Sequence, residues 1–143
     1  MRVLIDANVW LSYLVSNRSD STIPRVVRTC LSSDIELLVP AELIEEIKET
    51  LATKPYFKQR VSAEAAHQLI ALLQSTGYTP TPPDSVGQFV TDPGDDYLIA
   101  YGLAYDVDFL ITGDAVVRVL NRVEYMNIVT PTEVLRQPLD QRL

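Results

Sequence analysis

Three short and nearly continuous apolar runs constrain the fold of this 143-residue chain more than any other feature. They lie at residues 2–5, 35–39 and 109–112. A strand that faces solvent on one side alternates apolar and polar residues, whereas an unbroken apolar run is typical of a strand covered on both faces. The runs therefore predict buried strands that pair in parallel.

Segments with apolar residues at three- and four-residue spacing separate these runs. This spacing predicts helices at residues 24–31, 41–51, 62–74 and 95–105. Strands that alternate with helices favour an α/β fold with an open, mostly parallel sheet. A proline-rich stretch at residues 79–85 indicates an extended segment and loop rather than a domain boundary. We therefore expect one domain over residues 1–136 and a loose polar tail over residues 137–143.

The composition fits one cytoplasmic domain. With 47% apolar and 22% charged residues, the chain resembles an ordinary globular protein. The single cysteine, Cys30, excludes an internal disulfide and suits a reducing cytosol. No apolar run approaches the length of a membrane span, and the first residues read as a strand rather than a signal peptide. We expect a cytoplasmic protein that does not enter a membrane.

The charge distribution bears on nucleic-acid binding. A net charge of -7 spread evenly would repel a polyanion, so only a local basic surface can attract one. The candidate surface comprises Lys48, Lys54, Lys58 and Arg60. This cluster fits either a solvated face or a surface that follows an RNA backbone, and Lys54 and Lys58 are our candidate contacts.

Two aspartates stand directly after predicted strands. Asp6 ends the first run, and Asp114 follows the third run by way of Gly113. Ligands of open α/β sheets bind outside the carboxyl ends of the strands. A single aspartate at such a position is often a helix cap. Two such positions favour a functional site at this edge.

The helix predicted at residues 41–51 offers one glutamate that can reach inward. Its buried stripe consists of Leu43, Ile44, Ile47 and Leu51. At about 100° per residue, Glu46 flanks this stripe, whereas Glu45 points to the opposite side. Glu42 and Glu49 lie farther out. For these three glutamates a solvated face is the better interpretation.

The start of the last long predicted helix is also acidic. Asp92 fits an N-cap with Pro93 at the first helical position, and Asp95 fits the positive end of the helix dipole. Asp96 has no such explanation, because it lies on the apolar stripe of the helix. A carboxylate there is costly unless it is paired or binds a metal.

Asp6, Glu46, Asp96 and Asp114 are therefore predicted to converge where the strands end. Their mutual repulsion makes such a cluster unfavourable without a cation. Oxygen ligands without histidine or cysteine select Mg²⁺ or Mn²⁺ over zinc or copper. The sequence leaves open whether Asp95 or Asp96 is the third ligand, and whether one or two ions bind.

Four segments, in this order, resemble the PIN-domain family. Residues 5–10 (IDANVW) look like its opening Asp-x-Asn element, and residues 43–47 (LIEEI) look like its glutamate helix with Glu46 in the acidic slot. Residues 92–100 (DPGDDYLIA) resemble its third acidic segment, and residues 109–114 (FLITGD) its Thr-Gly-Asp strand end. The pairing of the last two elements is most similar to a branch related to the VapC toxins of toxin–antitoxin pairs.

The resemblance implies a single PIN-like domain that cuts RNA by means of a water activated by Mg²⁺ or Mn²⁺. The implied products carry a 5′-phosphate and a 3′-hydroxyl. The implied partners are an RNA substrate and a cognate antitoxin, and we also expect a homo-oligomer. Asn8 is implied to orient Asp6 or a water, although capping a helix that starts at Val9 is an equal alternative. Thr112 is implied to steady Asp114 through its hydroxyl, although a β-branched residue in a strand needs no such role.

Rival functions fit the sequence less well. A ribonuclease with paired histidines is excluded because the chain contains only His67. A phosphoacceptor domain needs a second acid near Asp6 and a lysine after a later strand, and both are missing. The remaining alternative is a catalytically weak PIN-like scaffold that binds RNA or a protein without cutting. Residues 115–117 (AVV), where relatives often carry a polar or acidic residue, favour it, whereas Asp6 and Asp96 are retained.

Overall fold

The computed structural model describes residues 1–32, 34–84 and 93–142, without the side chains of residues 93–96 and 116. The strands are β1 (Arg2–Ile5), β2 (Glu36–Leu38), β3 (Phe109–Ile111), β4 (Arg122–Val123) and β5 (Met126–Val129). The helices are α1 (Ala7–Val15), α2 (Thr22–Cys30), α3 (Ala41–Thr53), α4 (Pro55–Arg60), α5 (Ala63–Thr76), α6 (Pro93–Ala104), α7 (Ala115–Arg118) and α8 (Pro131–Arg136). A 3₁₀ turn follows at Leu139–Gln141.

The strands form one mostly parallel sheet in the order β2-β1-β3-β5-β4. The pairings of β1 with β2, β1 with β3 and β3 with β5 are parallel, and the short edge strand β4 runs antiparallel to β5. The register sets Ile5 beside Ile111. This arrangement confirms the predicted α/β class with an open, mostly parallel sheet flanked by helices.

Each face of the sheet carries its own apolar cluster, which explains the unbroken apolar runs. The first cluster includes Val3 and Ile5 of β1 together with residues of α1, α2, α3, α5 and α8. The second cluster includes Leu4 of β1 and Leu110 of β3 together with residues of α6. Because successive strand residues point to opposite faces, both faces of β1 and β3 must be apolar.

The observed elements differ from the predicted ones mainly near the end of the chain. The predicted loose tail is wrong for residues 137–142, because Leu139 is buried in the first cluster. The Arg142 guanidinium also donates to the carbonyl oxygens of Glu133 and Gln137. Apolar contact and carbonyl hydrogen bonds therefore hold this segment against α8.

The predicted extended segment and loop contains no helix or strand over its described residues 79–84, and the residue before it is attached to the sheet. The Tyr78 N–H donates to the Leu37 carbonyl at 2.8 Å, and the Val39 N–H donates to the Tyr78 carbonyl at 2.7 Å. These bonds attach Tyr78 beside β2. Ser85, the last residue of the predicted loop, lies outside the described residues.

No helix in the described ranges is long and apolar enough to cross a membrane.

Candidate active site

The carboxyl ends of β1 and β3 bring the two strand-end aspartates to one edge of the sheet. The strands are parallel neighbours, so the residues that follow Ile5 and Ile111 leave the sheet side by side. The Asp6 N–H donates to the Ile111 carbonyl at 3.0 Å, which extends the pairing by one residue. Asp6 and Asp114 are therefore placed at the edge where open α/β sheets bind ligands.

Asp6 occupies the N-cap position of α1, but its side chain makes no capping hydrogen bond. Its Oδ2 instead accepts a hydrogen bond of 2.7 Å from the Thr112 hydroxyl, and only 1% of the residue is exposed. Asn8 lies inside α1, so the alternative that it caps a helix starting at Val9 is wrong. The helix begins earlier because the Asp6 carbonyl accepts from the Val9 N–H at 3.0 Å.

Thr112 links the two aspartates. Its hydroxyl accepts a hydrogen bond of 3.0 Å from the Asp114 N–H. A threonine hydroxyl carries one hydrogen, and a backbone N–H can only donate, so that hydrogen goes to the Asp6 carboxylate. Thr112 is fully buried, and the link is therefore shielded from water. The predicted contact between the Thr112 hydroxyl and Asp114 is present at the Asp114 backbone.

The surroundings of Asp6 disfavour its charged form. Burial raises the pKa of Asp6 above its ordinary value of 3.8. The Thr112 hydroxyl and the nearby N–H groups of Asn8 and Ala7 lower this pKa, whereas the negative charge of Asp114 raises it. Desolvation is the largest of these effects, and the net shift is upward. A cation beside Asp6 would offset the cost of its charge.

The glutamates of α3 face the directions that the helical geometry predicts. Glu46 is half-buried, and it accepts a hydrogen bond of 2.9 Å from the Tyr97 hydroxyl. Glu45 is exposed, with its Oε1 3.8 Å from the Lys48 Nζ. Glu42 is also exposed but is not simply solvated, because it accepts bonds of 2.8 and 2.9 Å from the Tyr101 hydroxyl.

The two tyrosine hydrogen bonds show the direction of α6 relative to α3. Glu42 and Glu46 are one turn apart on α3, and Tyr101 and Tyr97 are one turn apart on α6. The pairs run in opposite senses, so the helices are antiparallel. Glu46 bonds Tyr97, the residue that directly follows the N-terminal turn of α6. A short connection joins the C-terminal end of α6 to β3, and α6 packs against β3. That N-terminal turn therefore lies towards the carboxyl end of β3.

The same turn of α6 carries Asp95 and Asp96, whose side chains lie outside the described residues, as does the whole of Asp92. Within the described side chains, no three acidic, histidine or cysteine residues stand close enough together to hold a metal. The described part of the predicted cluster is the Asp6 and Asp114 pair, with Glu46 bound to Tyr97. Convergence of all four carboxylates stays a prediction.

The predicted basic cluster lies at the junction of α3 and α4. Lys48, Lys54, Lys58 and Arg60 are all exposed. The Arg60 guanidinium stacks over the Tyr56 ring at 3.9 Å from the centroid. Helix α4 packs against both α1 and α3, the helices that follow Asp6 and carry Glu46. Lys54 and Lys58 are therefore on an accessible surface next to elements of the candidate site.

The sequence interpretation missed Tyr97 and Tyr101. Their signal is a tyrosine every four residues, at 97, 101 and 105. This spacing places Tyr97 and Tyr101 on one side of α6 and Tyr105 directly after its last residue. The Tyr105 hydroxyl donates to the Thr81 carbonyl at 2.6 Å, and its ring stacks with that of Tyr101. This row of tyrosines joins α6 to α3 and to the segment after α5.

A family model described as PIN domain matches residues 2–115, the part of the chain that contains β1, α3, α6 and Asp114. No curated protein matches the chain.

Replacing Thr112 with valine tests the link between the two aspartates. The change keeps the shape of the side chain but leaves the Asp6 carboxylate and the Asp114 N–H without this partner. We expect Thr112→Val to lower the free energy of unfolding by about 1–3 kcal/mol, measured by urea denaturation. Thr29→Val is the control, because Thr29 is exposed and its hydroxyl donates to the Arg25 carbonyl of its own helix. Equal effects of the two changes would contradict the link.

The raised pKa of Asp6 predicts how the metal-free protein responds to pH. A carboxyl group whose pKa is raised on folding stabilises the fold below its unfolded pKa, and this contribution is lost as pH rises through the folded pKa. Asp6 therefore destabilises the metal-free fold at pH 7. We expect Asp6→Asn to raise the melting temperature in EDTA at pH 7, and the difference from wild type to shrink towards pH 3. A lower melting temperature at pH 7 would show that the charge of Asp6 is already compensated.

Proposed function

The chain belongs to the PIN-domain family, and from this premise we propose that it is a Mg²⁺- or Mn²⁺-dependent endoribonuclease that acts in the cytoplasm as the toxin of a toxin–antitoxin pair. Family membership supports nuclease activity and the use of a divalent metal in general. The observation that carries the metal-dependent part of this proposal is the Asp6 and Asp114 pair, joined through Thr112 at the carboxyl edge of β1 and β3.

The described residues fit a hard divalent cation. Asp6 is buried, and the charge of Asp114 adds to the cost of ionising it. These side chains offer oxygen donors, which suit Mg²⁺ and Mn²⁺. His67 is exposed on α5 and Cys30 is buried within the first cluster. In the proposal Asp6, Asp114, Glu46 and Asp96 hold the metal.

The chain itself contributes position rather than a nucleophile. When bound, the cation supplies the Lewis acid and the activated water that phosphodiester hydrolysis requires. The Thr112 hydroxyl holds the Asp6 carboxylate in one orientation. The same hydroxyl accepts from the Asp114 N–H and so holds the backbone at Asp114. A rigid carboxylate frame of this kind lowers the cost of arranging the reacting groups. Hydrolysis by this route leaves a 5′-phosphate and a 3′-hydroxyl.

The toxin assignment rests on the similarity of residues 92–96 and 112–114 to the toxin branch of the family. With the toxin role we also propose a cognate antitoxin partner and a homo-oligomeric state. Binding of a small protein encoded next to this one, with loss of RNA cleavage on binding, is the observation that would support this part.

A scaffold that binds RNA or a protein without cutting is the second candidate function. The residues after Asp114 favour it, because they form the short helix α7 and Val117 is buried in the second cluster. Val117 therefore serves packing, and residues 115–117 supply no further acidic ligand. The scaffold would bind an RNA pool but leave it intact with either metal.

Cleavage of an RNA pool tests the proposed activity. We expect Mg²⁺- or Mn²⁺-dependent cleavage that EDTA abolishes, and a loss of at least about 100-fold in Asp6→Asn and Asp96→Asn, because each removes a metal ligand. Asp20→Asn is the control, since Asp20 is exposed and pairs only with Arg18 in the described contacts. Wild-type cleavage by Asp6→Asn would contradict the site. Binding without cleavage by the wild type would favour the scaffold.

The basic cluster generates a prediction on RNA binding. Changing Lys54 and Lys58 together to alanine should weaken binding and reduce its salt dependence by up to about two phosphate contacts, without altering metal affinity. The measurement is RNA affinity across a salt series in Ca²⁺, which is chosen to limit cleavage. An unchanged slope would remove these lysines from the RNA surface. Attention would then turn to Arg118 and Arg122, which are exposed beyond Asp114.

A further inference from the structure

We propose that Tyr97 is a positioning residue, whose hydroxyl holds the Glu46 carboxylate in the orientation needed to bind the metal. The inference rests on the proposed function and deepens it. Its basis is the hydrogen bond of 2.9 Å from the Tyr97 hydroxyl to Glu46 Oε1, between residues 51 positions apart in the sequence.

The tyrosine ring is a rigid support for this bond. Tyr97 is half-buried, and its ring packs against both apolar clusters. Packing on two sides leaves the ring little freedom, so its hydroxyl has a fixed position. A glutamate side chain has three rotatable bonds, and its rotational freedom is lost when it binds a ligand. A carboxylate ordered before the metal arrives binds it at a lower cost.

The position of Tyr97 relative to the predicted ligands supports a functional role. Tyr97 directly follows Asp96, on the first turns of α6, and its hydroxyl reaches the one glutamate of α3 that is half-buried. The bond therefore joins Glu46 to the residue that directly follows Asp96 in α6.

Tyr101 provides a matched comparison one turn away. Its hydroxyl also donates to a glutamate of α3, but that glutamate is Glu42, which is exposed and farther from the N-terminal turn of α6. Tyr101 is fully buried and lies in the second cluster. Its bond serves helix docking. The two tyrosines thus make the same chemical contact with different expected consequences for metal binding.

The test is calorimetric titration of the metal-free full chain with Mn²⁺. Tyr97→Phe keeps the packed ring and removes only the hydroxyl, and we expect it to raise the Kd for Mn²⁺ about tenfold, the range seen when a partner of a metal ligand is removed. Tyr101→Phe should leave the Kd within about twofold. Melting temperatures of both variants separate loss of folding from loss of affinity.

A double-mutant cycle shows whether Tyr97 affects Mn²⁺ binding through Glu46. Glu46→Gln leaves the tyrosine ring in place and should weaken Mn²⁺ binding by itself, and adding Tyr97→Phe to it should weaken binding no further. RNA cleavage supplies a second readout, because a high Mn²⁺ concentration should restore the kcat of Tyr97→Phe. A purely structural role would lower the melting temperature without shifting the Mn²⁺ dependence.

The outcomes separate this inference from the proposed function. If the wild type binds Mn²⁺ and cleaves RNA while Tyr97→Phe behaves like Tyr101→Phe, the positioning role is wrong and the proposed function stands. The same holds if Tyr97→Phe weakens binding equally in the Glu46→Gln background. A wild-type protein that neither binds Mn²⁺ nor cleaves RNA contradicts the proposed function, and the positioning role falls with it.

Discussion

The hydrogen bond from the Thr112 hydroxyl to the Asp6 carboxylate is the interaction on which the geometry of the candidate site depends. It joins the ends of two strands that are neighbours in the sheet but 106 residues apart in the sequence. The same hydroxyl accepts a hydrogen bond from the Asp114 N–H, so both aspartates are bonded to one buried oxygen atom. Parallel pairing of β1 and β3 brings the segments together. Thr112 then orients the Asp6 side chain and holds the backbone of Asp114.

This geometry has an energetic cost that a bound cation would offset. Burial and the neighbouring charge of Asp114 raise the pKa of Asp6, so the ionised carboxylate opposes folding of the metal-free protein. A site of this kind sacrifices stability for the ability to hold a ligand. The tyrosines of α6 stabilise the fold instead. The hydroxyls of Tyr97 and Tyr101 donate hydrogen bonds to glutamate carboxylates of α3 and so attach α6 to α3. The frame around the charges is thereby kept rigid.

The sequence predicts the sheet edge and the inward glutamate, because both follow from short-range periodicity. Unbroken apolar runs specify β1 and β3, and the helical spacing sets Glu46 apart from Glu45. The features that escaped prediction depend on partners far along the chain. Helix α1 begins at Ala7, and the Asp6 side chain bonds Thr112 instead of capping that helix. Tyr97 offers no sign of its partner Glu46, and nothing local indicates that Leu139 is buried.

The central proposal is that Asp6, whose carboxylate is held by the Thr112 hydroxyl, and Asp114 bind a divalent cation at the carboxyl edge of the sheet. A crystal structure of the protein grown with Mn²⁺, with the ion located by its anomalous scattering, tests this most directly. The account predicts an anomalous peak within about 2.2 Å of carboxylate oxygens of both Asp6 and Asp114. A well-ordered site without a peak at saturating Mn²⁺, or a peak bound only by other residues, would contradict it.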